Sequence, residues 1–284
     1  MLRRSSTALA VVVATLLPPT SPLAAQPADT ARQSAVPLFT GQDAVVIGAF
    51  GVATAAAAPA DLYLASRLQQ AGAQDNRFLR GAATAVTNVV EPGAVIIGTT
   101  LYGVGRLAGN ERLADLGLHG TEAIVVGLGA TFLLKALLGR ARPYVDADTT
   151  APGLQPDPRS FRFGRGLRRE EYRSFPSGHS TTAFAAAAAV VSEASRWRPE
   201  SVWYVAPIMY GGATIAGLSR MYDNKHWASD VIVGAAIGVF AGQKVVRYHH
   251  QSNPDNRLDR WLLSGSLRRD GRGGGALRVL ILPY

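Results

Sequence analysis

The sequence contains no cysteine, which excludes disulfide bonds, thiolate catalysis and zinc sites built on cysteine. Charged residues are also scarce, at 17% of the 284 residues, whereas apolar residues make up 48%. The few charges are unbalanced, because 29 Lys and Arg residues against 20 Asp and Glu residues give a net charge of +9. This excess predicts an acidic partner, such as an anionic lipid surface or a phosphorylated substrate. Nucleic acid is disfavoured, since the arginines lie in loops between apolar segments and not along one recognition helix.

The N-terminus has the order of features found in export signals. Arg3 and Arg4 precede an apolar run at residues 9–17, and small residues follow it. We therefore expect residues 1–25 to direct the chain to the cell envelope and residues 26–40 to form a polar linker. An uncleaved anchor is the alternative, although the run is short for a membrane span.

Six Ala- and Gly-rich apolar segments follow, each too long for a typical strand and rich in good helix formers. They occupy residues 43–68, 82–107, 121–138, 180–194, 202–218 and 229–248. The sequence thus predicts an all-α bundle of about six core helices within one domain, residues 41–260, followed by a tail, residues 261–284. Pro59, Pro92 and Pro207 lie inside three of the segments and are expected to kink or divide those helices. An apolar run in the tail, residues 276–282, is predicted either as a strand or as an ordered extension.

The longest loop inside the domain, residues 139–175, contains eight arginines. Loops of this length in compact domains are usually functional or disordered. A solvated basic loop and a lid over an anion site both fit the composition. Phe161 and Phe163 alternate with the arginines, so part of the loop is expected to pack back onto the fold.

One polar stretch, residues 219–230, connects the fifth and sixth segments and contains Arg220, His226 and Asp230. The histidine and the aspartate are four residues apart, so they share a face if a helix begins near His226. A carboxylate one turn away can accept one ring N–H and leave the other ring nitrogen as a directed lone pair. Arg220 supplies a planar set of donors that suits a phosphate oxyanion. Alone, such a pair is more often a helix cap than a catalytic unit.

Two other polar groups lie at segment ends. Lys135 and Arg142 are seven residues apart, close to two helical turns, near the end of the third segment. Ser177, Gly178 and His179 precede the fourth segment, where a helix start offers free N–H groups to an anion and the serine can donate or cap. In an up-and-down bundle the ends of segments three and five and the starts of four and six lie together. The sequence therefore predicts one anion site at one end of the bundle.

The spacing of these groups resembles that of the type 2 phosphatidic acid phosphatases. The matching elements are a lysine separated by six residues from Arg-Pro, the run Pro-Ser-Gly-His, and Ser-Arg separated by five residues from a histidine that is in turn separated by three residues from an aspartate. The resemblance covers roughly residues 80–250. Bacterial class A acid phosphatases and vanadium-dependent haloperoxidases belong to the same superfamily.

The resemblance implies a role for each matched residue. His226 would attack phosphorus to give a phosphohistidine, Asp230 would orient it, and His179 would protonate the leaving oxygen and later activate water. The groups that would bind the phosphoryl oxygens are Lys135, Arg142, Ser177, the backbone N–H of Gly178, and Arg220. No metal or other cofactor is implied, except vanadate if the chain is a haloperoxidase.

Three functions remain open at this point. The first is a phosphatase for phosphomonoesters, including lipid phosphates and isoprenoid diphosphates, and the second is a vanadate-dependent haloperoxidase. The third is a non-catalytic lipid- or phosphate-binding envelope protein, although neither histidine that catalysis requires is missing. The sequence predicts no oligomeric state.

The sequence constrains the position of the domain relative to the membrane less than it constrains the fold. Uninterrupted apolar stretches in the third and sixth segments, residues 123–134 and 231–242, are short for a span. This favours an exported helical domain on the periplasmic side, in solution or seated on the membrane, over an integral membrane protein. If all six segments cross, an exported N-terminus would place the site on the cytoplasmic face, in conflict with that assignment.

Some polar residues have no motif partner. We expect three histidines, His119, His249 and His250, at the surface. Glu122 is expected as an acidic residue at a helix start, and Glu91 as a polar group beside a proline kink.

Overall fold

A computed structural model describes residues 36–145 and 157–252 of the chain. The predictions for the segment 1–25, for the tail 261–284 and for its apolar run fall outside these residues. The domain boundaries therefore remain predictions.

The described residues form an all-α fold, as the sequence predicts, with one isolated antiparallel bridge between Arg140 and Phe161 and no strand in these two ranges. The α-helices are α1 Gly41–Ala57, α2 Asp61–Leu68, α3 Ala71–Gln74, α4 Arg77–Asn88, α5 Ala94–Ala108, α6 Glu111–Leu138, α7 Gly178–Trp197, α8 Val202–Tyr222 and α9 Ala228–Arg247. The predicted helical bundle is confirmed, and each of its six segments forms helix.

The three prolines act differently on their helices. Pro59 lies in a 3-10 turn, Ala58–Ala60, between α1 and α2. Pro92 lies in a π-helical turn between α4 and α5, where Glu91 has an extended backbone with φ −134°. Pro207 lies inside α8, which continues without a break. The α-helix is thus interrupted at two of the three prolines, and the kink at Pro92 brings Glu91 to the site described below.

Close packing between α7 and α9 depends on three glycines spaced four residues apart on α9. A Cβ at Gly234, Gly238 or Gly242 would lie 2.4–2.6 Å from backbone carbonyl oxygens of α7 or the residue preceding it. Side chains at these positions would push the two helices apart, so small residues are required for this approach. The contact brings the start of α7 against the start of α9, where the backbone N–H of Ser177 donates to the carbonyl of Asp230 at 3.0 Å.

The long basic loop is folded where the structure describes it, at residues 139–145 and 157–177. Phe161 packs edge-on against Phe175 and under the Arg140 guanidinium, which confirms the expected return of the loop onto the fold. Phe163, in contrast, is 81% exposed. Hydrogen bonds from Arg140 and Arg173 to loop carbonyls hold the described parts together.

Four helical stretches of the described chain are long and apolar enough to cross a membrane: Gly41–Leu68, Arg77–Ala108, Glu111–Leu138 and Ala228–Ser252. Large apolar side chains also face outwards, including Val52, Val125, Phe132 and Ile208, which are all at least 50% exposed. The expectation that the third and sixth segments are too short for a span is wrong, because helix continues past the polar residues that interrupt their apolar runs. These features support association with the membrane.

Candidate active site

The eight predicted site residues lie together at one end of the bundle, here called the catalytic end. It is formed by the C-terminus of α6, the N-terminus of α7, the C-terminus of α8 and the loop before α9. The positive charges of Lys135 and Arg142 lie close enough to His226 to lower its pKa. The same two charges, together with Arg220, lower the pKa of His179. Antiparallel packing of consecutive helices produces this meeting, which is the arrangement that the sequence predicts.

His226 is buried in the loop that precedes α9 and faces Asp230 in the first turn of that helix. Its Nδ1 lies 3.6 Å from Asp230 Oδ2, an ion-pair distance that exceeds hydrogen-bond range. Nδ1 has no hydrogen-bond partner among the described residues. A small movement of the ring would form the bond and direct Nε2 towards a substrate.

The protonation state of His226 suits a nucleophile. Burial is the main cause that lowers the pKa of His226 to about 3, and the positive charges of Lys135 and Arg142 act in the same direction. Asp230 opposes this shift, but less strongly. The imidazole is therefore neutral at physiological pH, and one ring nitrogen keeps its lone pair.

Asp230 is held by groups that the motif spacing does not identify. Its Oδ2 accepts hydrogen bonds from Ser174 Oγ at 2.5 Å and from the backbone N–H of Trp227 at 2.9 Å. Its Oδ1 accepts from Arg140 Nη1 at 2.5 Å. These bonds fix the carboxylate before any substrate arrives.

Arg140 joins Asp230 to a second buried carboxylate, that of Asp61 in the first turn of α2. Arg140 Nη2 donates to Asp61 Oδ2 at 2.8 Å, and Nη1 also donates to Ser229 Oγ at 2.8 Å. Asp61 in turn accepts from the Ser229 backbone N–H at 2.9 Å. The network attaches α2 to the catalytic end. An isolated acid inside an apolar segment, as Asp61 is, is the sequence signal that could have identified it.

His179 pairs with Glu91 across the bend between α4 and α5. The distance from His179 Nδ1 to Glu91 Oε2 is 3.2 Å, and Thr182 donates a long hydrogen bond of 3.4 Å to Glu91 Oε1. Glu91 does lie at the kink, as expected, but it also contacts the predicted acid–base. Burial is the main cause that lowers the pKa of His179 to about 4, and the positive charges of Arg220, Lys135 and Arg142 act in the same direction. A negative charge on Glu91 opposes them by stabilising the protonated imidazole.

The three cations keep donors that the protein does not use. Lys135 Nζ donates to the carbonyl of Arg173 at 2.6 Å, and Arg220 Nη1 donates to Thr87 and Asp223. The Nε atoms of Arg142 and Arg220 are buried and have no hydrogen-bond partner among the described residues. Buried unpaired donors carry a free-energy cost that a bound oxyanion would remove.

Ser177 and Gly178 form the start of α7. Ser177 is the N-cap, and its Oγ accepts from the Ser180 N–H at 3.3 Å, so the capping alternative is realised. A Cβ added at Gly178 would meet no atom closer than 3.7 Å, with Glu91 and Lys135 among its neighbours. Packing within the protein therefore does not require a glycine at position 178. Because Gly178 has no side chain, space remains there beside Glu91 and Lys135.

The expectation of surface histidines is wrong for His119 and His249, which are both buried, and His250 is partly buried. They lie at the opposite end of the bundle, where His119 and His250 contact Glu193 and His249 contacts Glu122. Glu122 is not at a helix start, because α6 begins eleven residues earlier, at Glu111. These residues were expected at the surface or at a helix start because their partners, Glu193 for His119 and His250 and Glu122 for His249, are far from them in sequence and share no motif with them.

Part of the chain is similar to known proteins. Residues 116–254 match the model of the PAP2 superfamily. A lipid A 1-phosphatase of Porphyromonas gingivalis is 44% identical over 85 residues, which are 29% of this chain and 18% of that protein. A probable diacylglycerol pyrophosphate phosphatase 1 of Schizosaccharomyces pombe is 31% identical over 165 residues, which are 52% of this chain and 58% of that protein. The chain thus spans less than two thirds of the length of either relative.

One solved structure is also similar. It is the crystal structure of a transmembrane PAP2 type phosphatidylglycerolphosphate phosphatase from Bacillus subtilis, with 20% sequence identity. The alignment covers 72% of this chain and 98% of that one, with a TM-score of 0.31.

Proposed function

Because this chain belongs to the PAP2 superfamily, we propose that it is a membrane-associated phosphatase that removes phosphate from a lipid phosphate or diphosphate through a phosphohistidine intermediate. The observation that carries the proposal is the convergence of three cations on two histidines, each histidine paired with a carboxylate. The unpaired donors of Arg142 and Arg220 support an oxyanion as the missing ligand.

In the first step, Nε2 of neutral His226 attacks phosphorus while the bond from phosphorus to the leaving oxygen breaks. Asp230 accepts a hydrogen bond from the Nδ1–H of His226 and stabilises the positive charge that the ring gains. His179 lies beside Glu91, takes up a proton as the negatively charged phosphate binds, and gives that proton to the leaving oxygen. Charge on the equatorial oxygens is stabilised by Lys135 and the two unpaired arginine Nε groups.

In the second step, neutral His179 takes a proton from water as the water oxygen attacks phosphorus. The phosphorus–nitrogen bond breaks, the electron pair returns to His226, and inorganic phosphate leaves. This sequence restores both histidines to their starting protonation states. Positioning and charge stabilisation provide most of the catalysis, and no residue beyond the described groups is required.

A lipid substrate is supported by where the site lies. The polar groups gather at the end of a bundle whose outer surface is apolar over several helices. A lipid can keep its chains beside this surface while its phosphate enters the catalytic end. The two curated relatives are named for activity on lipid phosphates, which supports the same substrate class.

A substrate panel tests the activity. Phosphatidate, undecaprenyl diphosphate, a nucleotide and an aryl phosphate are compared in detergent, with and without vanadate. We expect phosphate release to be fastest from a lipid substrate and to be inhibited by vanadate, which imitates the five-coordinate transition state in the same pocket. Halide oxidation with vanadate and peroxide, without phosphate release, would instead establish the haloperoxidase.

We further propose that the catalytic end faces the periplasm. The bent helix α1–α2 runs from Asp43, paired with Lys244 at the far end, to Asp61 at the catalytic end. Residue 36 and the site are then on opposite faces of the membrane. The residues after α9, 248–284, include six arginines, and basic segments beside spans are retained in the cytoplasm.

Single cysteines test this orientation cleanly, because the chain has none of its own. We expect Arg168→Cys, on the exposed loop at the catalytic end, to react with a membrane-impermeant maleimide in intact spheroplasts. Val36→Cys is expected to react only after permeabilisation. The reverse labelling pattern would place the active site in the cytoplasm.

A further inference from the structure

We propose that His119, Glu193 and His250 form a binding site for a divalent transition-metal ion, with Zn²⁺ as the best match. The three residues come from the N-terminal half of α6, the C-terminal half of α7 and the π-helical turn Tyr248–Ser252. His119 lies 16 residues before Lys135 on α6, which is about 24 Å along the helix axis. The site is therefore separate from the catalytic end.

The geometry of this cluster fits a two-histidine, one-carboxylate ligand set. His119 Nδ1 lies 2.6 Å from Glu193 Oε1, and His250 Nε2 lies 2.9 Å from the same oxygen. One ligand atom from each residue lies within 4.8 Å of the others. Zn²⁺ with bonds of about 2.0–2.1 Å places neighbouring ligand atoms about 3.3 Å apart. Movements of roughly half an ångström would therefore admit the ion in place of the two shared protons.

Burial of Glu193 is the observation that calls for a cation. The residue is fully buried, and among the described residues its ion pairs are both with histidine. A carboxylate inside an apolar bundle has a high desolvation cost unless it is paired or bound to a metal. Asp115, one turn before His119 on α6, interacts electrostatically with the same three residues and adds a second negative charge.

Unpaired atoms in the cluster point to an absent ligand. Glu193 Oε2 and His119 Nε2 are buried, and neither has a hydrogen-bond partner among the described residues. A bidentate carboxylate would bring Glu193 Oε2 to the ion. The contacts with the two histidines both use Oε1 and leave Oε2 unsatisfied.

The positions of the three ligands indicate how the metal ion would enter the cluster and which elements it would connect. His250 is the most exposed of them, with 20% of its side chain accessible, so the ion would enter from its side. A bound ion would connect α6, α7 and the turn after α9. It would act as a cross-link at the end opposite to catalysis, and the phosphatase reaction would not pass through it.

Direct metal binding by the full-length protein in detergent tests the proposal. After chelation and reloading, we expect about one equivalent of Zn²⁺ per chain by elemental analysis, and tetrahedral d–d absorption when Co²⁺ replaces it. Glu193→Gln and His250→Gln are expected to weaken Zn²⁺ binding by about tenfold or more, because even residues behind metal ligands change affinity by that factor. Both variants keep the size of the side chain.

Two matched variants show whether the ion is held by this cluster or by a neighbouring histidine. Glu122→Gln removes the carboxylate of the neighbouring His249 pair, and Zn²⁺ affinity is expected to change less than about twofold. His226→Ala tests whether the catalytic histidines bind the ion, and it should retain the full equivalent. The proposal is overturned if the wild-type protein binds no Zn²⁺ after reloading, or if His250→Gln and folded Glu193→Gln bind it as tightly as wild type.

Discussion

His226→Ala is expected to lower the rate of phosphate release by about 10⁴-fold or more and to abolish the phosphoenzyme. The side chain supplies the attacking nitrogen, and the structure contains no second nucleophile at its position in the described part of the catalytic end. Because the pKa of His226 is lowered to about 3, the wild-type ring is neutral and reactive at neutral pH. The measurement is turnover of the best lipid substrate, together with trapping of radiolabelled protein under alkaline denaturing conditions, where phosphohistidine survives.

Variants of the acid–base pair should separate the two steps. His179→Ala is expected to lose about 10²- to 10⁴-fold in turnover while still forming phosphoenzyme slowly, because the nucleophile is intact. Glu91→Gln, which removes only the charge beside His179, should lose about tenfold. Glu122→Gln, at the far end and outside the proposed metal cluster, serves as the control and should remain within about threefold of wild type. Phosphoenzyme in folded His226→Ala would contradict the assignment of the nucleophile.

The catalytic end could be predicted from sequence because its parts lie at the ends of helices. Four consecutive antiparallel helices bring those ends together whatever their side-chain packing, so Lys135, His179, Arg220 and His226 meet for topological reasons. The spacing of four between His226 and Asp230 is also a local property of a helix start. Local geometry and simple topology therefore account for the residues that the sequence identified.

The residues that sequence reasoning missed depend on contacts between distant segments. Asp61 and Arg140 are 79 residues apart, and the two histidines that contact Glu193 are 74 and 57 residues from it. No periodicity predicts which buried acid meets which base, because that depends on helix rotation and on how closely backbones approach. The expectation that two segments are too short for a span failed for a related reason, since the length of their uninterrupted apolar runs is smaller than the length of the helices that form.

Arg140→Met is expected to lower the free energy of unfolding by about 3–5 kcal/mol. Asp61 and Asp230 have no exposed side-chain surface, and Arg140 contacts both. Methionine fills similar space but leaves two buried carboxylates without a counter-charge. Thermal or denaturant unfolding in detergent measures the effect, and Arg168→Met, on the exposed part of the same loop, is the matched control with a change below about 0.5 kcal/mol.

Two further variants distinguish charge from shape in this network. Arg140→Lys keeps the charge, but one ammonium group cannot reach acceptors on three separate elements, so an intermediate loss of stability is expected. Adding Asp61→Asn to Arg140→Met removes one of the two uncompensated charges and should recover part of the stability, which a double-mutant cycle would register as coupling. Activity should not recover in that double variant, because Asp230 still lacks the guanidinium that fixes it behind His226. If Arg140→Met were as stable as wild type, Asp61 and Asp230 would have to be protonated or solvated. The ion pairs of Arg140 could then not be what holds Asp230 behind His226.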